Sequence, residues 1–264
     1  MGNIKLSTVK AIVIRHIYTW RRDFDRIVDS FWWATIDLIF WGLTSHYIKQ
    51  ISAGFDLVIA FVGGIIFWTI VQNAQREINM PILEEAWNRN LINLFTAPIS
   101  LAEFVIATIV LGLIKLLATV LVMIAVSFVL YRFNLFIYGW FLLPAIINLI
   151  LVGWWIGFFI DGLIFRFGYK IQSFAWAFIF VIYPFSAVLY PVEILPGWAQ
   201  AVAAVLPTSY IFENMRAILF HGVFNSYDLL IAFFLNVIYL ILSLIFMKRM
   251  FSYALKYGRL IKLN

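Results

Sequence analysis

Asp37, Glu103, Lys115 and Asp161 stand in otherwise apolar surroundings, and a charge held inside a membrane is costly enough to need a reason. Two uses suit such residues: ion pairs or hydrogen bonds that hold helices together, or a polar path through the bundle. As a catalytic set they are deficient, because the acids lie far apart in sequence and have no nucleophile motif beside them. The chain has no GxSxG and no HExxH, which excludes the familiar hydrolase elbows and zinc protease helices. No Gly is followed by Lys, so no GxxxxGK[ST] loop exists to cradle a nucleotide phosphate. His16, His46 and His221 share no ligand spacing, and cysteine is absent, so a metal site and a disulfide are both unexpected. The expectation is therefore no catalytic residue, no metal and no cofactor bound by this chain.

The elements that must position these charges follow from composition. Apolar residues make up 64% of the 264 positions and charged residues 12%, too few polar groups to cover a water-soluble globule. A spanning helix needs roughly 20 mostly apolar residues, and such stretches recur with short polar connections between them. The expected fold is all-α: a polytopic membrane protein forming one permease domain over 1–264, with about six transmembrane helices. The spans are expected near 31–51, 55–75, 101–131, 135–165, 171–190 and 229–247, the first two joined by a turn at Ser52-Ala53-Gly54. No segment is left for a soluble catalytic domain.

Three further elements are too polar or too short to span. Over 4–27, Leu6, Val9, Val13, Ile17, Trp20, Phe24 and Ile27 recur at helical spacing beside Lys5, Lys10, Arg15, Arg21 and Arg22, the pattern of an interfacial helix. After a break at Asn79-Met80-Pro81, residues 82–95 are periodic but polar and predict a short helix ended by Thr96-Ala97-Pro98. Over 191–221, Pro191, Pro196 and Pro207 divide two short apolar pieces, read as a re-entrant hairpin shielded by protein or water. Of the 19 Lys and Arg, fifteen fall on one side if both termini face the cytoplasm; Lys49, Arg132 and Arg216 fall on the other. That asymmetry puts 82–95 inside and 191–221 outside. The net charge of +6 then faces anionic lipid headgroups rather than nucleic acid. Gly153 and Gly157 form a GxxxG that allows close helix packing. Trp32, Trp33, Phe40 and Trp41 either face lipid or line a pathway, since aromatic faces suit sugars and amphiphiles.

Three segments together resemble the membrane permeases of type-2 ABC exporters, the group that includes polysaccharide, nodulation-factor and drug export permeases. They are Glu84 to Ser100, with an acidic start, a short helix and a Pro-x-Ser entry to the third span; Leu195-Pro196-Gly197-Trp198; and Leu206-Pro207-Thr208 through Leu219, which carries a Glu-x-x-Arg helix. The resemblance implies that 82–95 is a coupling helix seated on a separate ATPase subunit, with Leu91, Leu94 and Phe95 as anchors and Glu84, Glu85, Asn88 and Arg89 around them. It implies an outer gate or hairpin formed by Tyr190, Pro191, Glu193, Pro207, Tyr210, Glu213 and Arg216, with Glu213 and Arg216 able to pair at i and i+3. Trp32, Trp33, Asp37, Phe40, Trp41, Lys115 and Asp161 are the candidates for an intramembrane polar path.

By the same resemblance the chain is a transport subunit and not an enzyme. It would be a homodimer in the cytoplasmic membrane of a prokaryote, working with two copies of a nucleotide-binding ATPase that carries ATP and Mg. It would move an amphipathic or lipid-linked substrate (a polysaccharide, a glycolipid or a hydrophobic drug) outward by alternating access. A lipid-processing membrane enzyme and an ion-coupled carrier are the alternatives. The first lacks clustered catalytic residues, and the second lacks an internal repeat.

Overall fold

The computed structural model describes residues 4–51, 57–88 and 90–258. Its helices run in the order α1 (Leu6–Arg22), α2 (Phe24–Ile51), α3 (Leu57–Trp87), α4 (Leu91–Thr96), α5 (Leu101–Tyr131), α6 (Leu142–Phe167), α7 (Gln172–Ile182), α8 (Gly197–Ala204), α9 (Pro207–His221) and α10 (Ser226–Lys256). The described residues contain no strand, so the all-α reading holds. Among them, Leu101–Tyr131, Leu135–Phe167 and Ser226–Lys256 are long and apolar enough to cross a membrane. The first two expected spans fall on α2 and α3, and the turn at Ser52-Ala53-Gly54 lies outside the described residues.

The core forms where α6 packs against α3 on one side and α10 on the other. Close approach to α3 depends on Gly153 and Gly157: a Cβ on Gly153 would lie 2.5 Å from Ala74 Cβ, and one on Gly157 would lie 2.7 Å from Ile78 Cβ. The GxxxG therefore serves an interface within the chain. On the other side, Asn236 Nδ2 donates to the carbonyl oxygen and to Oδ1 of Asn148, at 3.1 and 3.0 Å. In lipid such a bond contributes roughly 1 kcal/mol, less than a buried position would suggest. α5 lies against α3 and α2. Ser100 and Glu103 close a capping box at its start.

Four expectations need correction. The N-terminal helix ends at Arg22, not near residue 27, because Asp23 is extended and α2 starts directly after it. Nor does its whole apolar stripe face lipid: Val9, Ile12 and Val13 pack with Ala107 of α5, while Leu6 and Phe24 stay exposed. No break occurs at Asn79-Met80-Pro81, and α3 continues through Pro81 to Trp87. Proline disfavours helix at the preceding residue, but the side chain of Asn79 is bound to Gly157 and Asp161 of α6 and Ile78 sits on Gly157, so packing holds the helix in register. Finally, the fifth apolar helix ends early: α7 stops at Ile182, a 3-10 turn reaches Phe185, and Ala187 takes a left-handed φ of 56°.

Candidate functional sites

Between α3 and α5, Lys115 Nζ donates to Glu77 Oε2 at 2.8 Å. Both side chains are largely buried, at 15% and 5% exposed. Trp20 of α1 lies against the same ammonium, 5.9 Å from Nζ to the ring centroid, which places a cation over an aromatic face. A second ion pair follows toward the end of α3, where Arg15 Nη2 donates to Glu85 Oε1 at 2.5 Å. Glu85 also accepts from Asn90 Nδ2. The backbone N–H of Lys5 donates to Glu103 Oε1 at 2.8 Å. Three polar attachments thus fasten α1 to α3 and α5.

α4 follows three residues beyond α3, and its sequence LINLFT puts apolar side chains at 91, 94 and 95 on one side. That side is already occupied. Leu91 and Leu94 are buried at 2% and 5% exposed. Phe95 enters an aromatic cluster, its ring 5.9 Å from Phe104 of α5, 6.4 Å from Phe165 of α6 and 4.7 Å from Phe251 of α10. The structure thus seats these three side chains, expected as anchors in another protein, within the bundle of the chain itself: a six-residue amphipathic helix has one apolar side, and the bundle covers it. Glu85 is likewise internal, whereas Glu84 is half-buried. The surface left open is formed by Trp87, Asn88, Asn93 and Thr96. Arg89 lies outside the described residues.

At the opposite end of the long helices, Arg216 of α9 organises the segment that follows α7. Its Nη2 donates to the carbonyl oxygens of Ala187 and Tyr190, at 2.6 and 3.0 Å, and lies 3.3 Å from Glu213 Oε1. Glu213 Oε1 in turn accepts from the backbone N–H of Val192 at 2.7 Å. Pro191 precedes the 3-10 turn Val192–Ile194 that this bond anchors. Tyr190 and Tyr210 donate their hydroxyls to the carbonyls of Pro184 and Ala204, both at 2.7 Å. Pro207 is the buried first residue of α9, and Glu193 is exposed, its carbonyl accepting from Gln200. Arg216→Ala is expected to loosen this clamp, because it removes the one nitrogen that meets both carbonyls and the Glu213 carboxylate. Amide hydrogen exchange over 187–194 should rise about tenfold, the equivalent of a lost hydrogen bond to a charged group; unchanged protection there would show that the clamp does not hold the segment.

The remaining candidates divide into two groups. Asp161 is buried at 2% exposed and accepts from Asn79 Nδ2 at 2.6 Å; the same nitrogen donates to Gly157 O at 2.7 Å. Gln75 completes the cluster by donating to Asn79 Oδ1 and, at 3.2 Å, to Ala175 O of α7. Trp32, Trp33 and Phe40 are exposed on α2, and Trp41 is half-buried against Phe40 and Phe61. Asp37 opens onto a cavity of about 550 Å³ between α2, α3 and α7. The sequence reading missed Glu77, Gln75 and Asn79. Gln72, Gln75, Arg76 and Asn79 recur at three- and four-residue spacing, the signal of one polar face on a continuing helix. Among the described residues no group of acids and histidines could hold a metal ion.

A family model described as ABC-2 type transporter matches residues 9–220. No curated protein matches the chain.

Proposed function

The chain belongs to the ABC-2 type transporter family and is a transmembrane subunit of an ABC-type transporter, and we propose that it exports an amphipathic or lipid-linked substrate under the drive of a separate ATPase. Two copies of the chain would pair in the cytoplasmic membrane of a prokaryote with both termini inside, as the distribution of Lys and Arg favours. Two ATPase subunits would carry ATP and Mg, and this chain would bind neither. Nucleotide binding can bias a permease between inward and outward states only through contacts that differ between them. A surface that feels the ATPase is therefore required.

The observation that carries this reading is the mounting of α4. Its polar side is open, while its apolar side is fixed through Phe95 to α5, α6 and α10 together. A displacement of α4 cannot be absorbed locally and passes into three long helices. Trp87, 46% exposed beside α4, is the residue type that most often dominates an interface.

The test uses the permease reconstituted with its ATPase. Trp87→Ala and, separately, Asn93→Arg should each lower substrate-coupled ATP hydrolysis about tenfold, the loss expected for an interface anchor or an unpaired charge. The thermal stability of the permease alone should stay unchanged in Asn93→Arg. The second variant is needed because Trp87 Nε1 also donates to Gln172 Oε1 at 2.7 Å. Full coupling in both variants, or transport without any nucleotide, would overturn the proposal.

A further inference from the structure

The cavity between α2, α3 and α7 is distinct from the pairs and clusters above because its polar groups are incompletely used. At about 550 Å³ it falls within the range of small-molecule sites, roughly 300–1,000 Å³. Its floor on α3 is polar: Gln72, Asn73, Gln75 and Arg76. Its walls are aromatic: Trp33 of α2 with Trp176 and Phe180 of α7. Gln75 is committed to Asn79 and Ala175. Asn73 donates to Thr69 O at 3.0 Å and accepts from Arg76 Nη2 at 2.6 Å. Asp37 and Gln72, by contrast, make no hydrogen bond to any described residue. Midway along α2, Asp37 presents an exposed carboxylate to this cavity, and a charge on a membrane helix that no described residue hydrogen-bonds leaves a place for a partner from outside the chain.

Charge narrows what that partner is. Arg76 lines the same cavity as Asp37, so an ammonium headgroup drawn to Asp37 meets a guanidinium, and a phosphate drawn to Arg76 meets a carboxylate. A neutral headgroup avoids both conflicts. The carboxylate accepts hydrogen bonds, the Gln72 amide both donates and accepts, and the hydroxyl is the neutral group that can answer each of them. Aromatic faces carry negative potential that favours the polarised C–H groups of a sugar ring laid against them. We infer that this cavity binds a neutral, polyhydroxylated headgroup, so that the cargo is a glycan joined to a lipid, with Asp37 and Gln72 contacting its hydroxyls and Trp33 and Trp176 its ring faces. This rests on the proposed function for its sense as a cargo site, but binding itself does not require the ATPase.

The experiment therefore measures binding without nucleotide, by native mass spectrometry of the full chain. The probes are a monoglucosyl diacylglycerol, the same diacylglycerol without sugar, and an alkyltrimethylammonium of equal chain length. The glycolipid should be retained saturably and in preference to the other two. Asp37→Ala and Trp176→Ala should each weaken it about tenfold, and Trp176→Tyr, which keeps an aromatic face, should retain most of the affinity. Asp37 has no described hydrogen bond to lose, so its variant tests the site without a folding defect. Equal retention of the bare diacylglycerol would overturn the inference, as would tighter, Asp37-dependent binding of the ammonium. Asn93→Arg should leave binding unchanged. Glycolipid binding in a protein that never couples to an ATPase would sink the exporter reading alone, and coupled export without glycolipid binding would sink this one alone.

Discussion

Lys115→Met is expected to abolish most of the folded protein recovered from membranes, and Glu77→Leu combined with Lys115→Met to restore it. The single variant leaves the Glu77 carboxylate, whose side chain is 5% exposed, without its counter-ion. Breaking a buried pair from one side costs about 3–5 kcal/mol, whereas replacing both partners with apolar groups of similar volume is often neutral or stabilising. That is a large fraction of the whole stability of a typical chain. The asymmetry between single and double variants is what identifies the pair as structural. A stable Lys115→Met protein with impaired export would instead assign Lys115 to a polar path. The loss should also spread to α1, because Trp20 sits over the same ammonium. Limited proteolysis should then cut the N-terminal helix of the single variant faster, at sites near Asp23 where the backbone is extended.

How much of this was legible depends on whether a signal was local. The helices α5, α6 and α10 could be read directly, since uninterrupted apolar runs of that length have no other stable use. α3 could be read only as far as residue 75, because Pro81 is a local stop and the groups that hold Asn79 in the helix before it, Gly157 and Asp161, lie 78 and 82 residues beyond Asn79. The same misplaced stop hid Glu77, which fell beyond the expected end of the second span although it is the buried counter-ion of Lys115. Glu213 and Arg216 were legible as a pair at i and i+3, but the carbonyls of Ala187 and Tyr190 that Arg216 holds were not, since a backbone oxygen leaves no mark in the sequence. Leu91, Leu94 and Phe95 show a different limit. Periodicity tells that a short helix has an apolar side and is silent about whether the chain itself or another protein covers it. Here the aromatic cluster decides in favour of the chain, which moves any contact with an ATPase onto the polar side.

Gly153→Val is expected to have the other large effect, a loss of about 3 kcal/mol or more in stability, read as a lower melting temperature in detergent and little assembled protein. Ordinary overpacking costs about 1–3 kcal/mol because side chains shift to make room. At Gly153 a Cβ meets Ala74 Cβ at 2.5 Å but also the backbone of α3, Val71 O at 2.7 Å and Gln75 N at 2.8 Å, and a packed helix backbone yields far less than a rotamer. Shortening the opposing side chain should therefore rescue only in part: Gly153→Ala with Ala74→Gly should remain less stable than the native chain, because two of the three contacts persist. Gly197→Ala supplies the contrast, since nothing lies within 4 Å of its added Cβ, and it should be neutral or slightly stabilising. Full rescue by Ala74→Gly would show that α3 and α6 can slide apart, which matters beyond stability. The same seam carries Gln75, Asn79 and Asp161, and Gln75 and Arg76 line the cavity facing Asp37. If α3 and α6 move as one body, a push of the kind proposed for α4 would pass through the Phe95 cluster and reach that cavity as a rotation of its polar floor against its aromatic walls on α2 and α7. If they slide, the push is lost before it gets there.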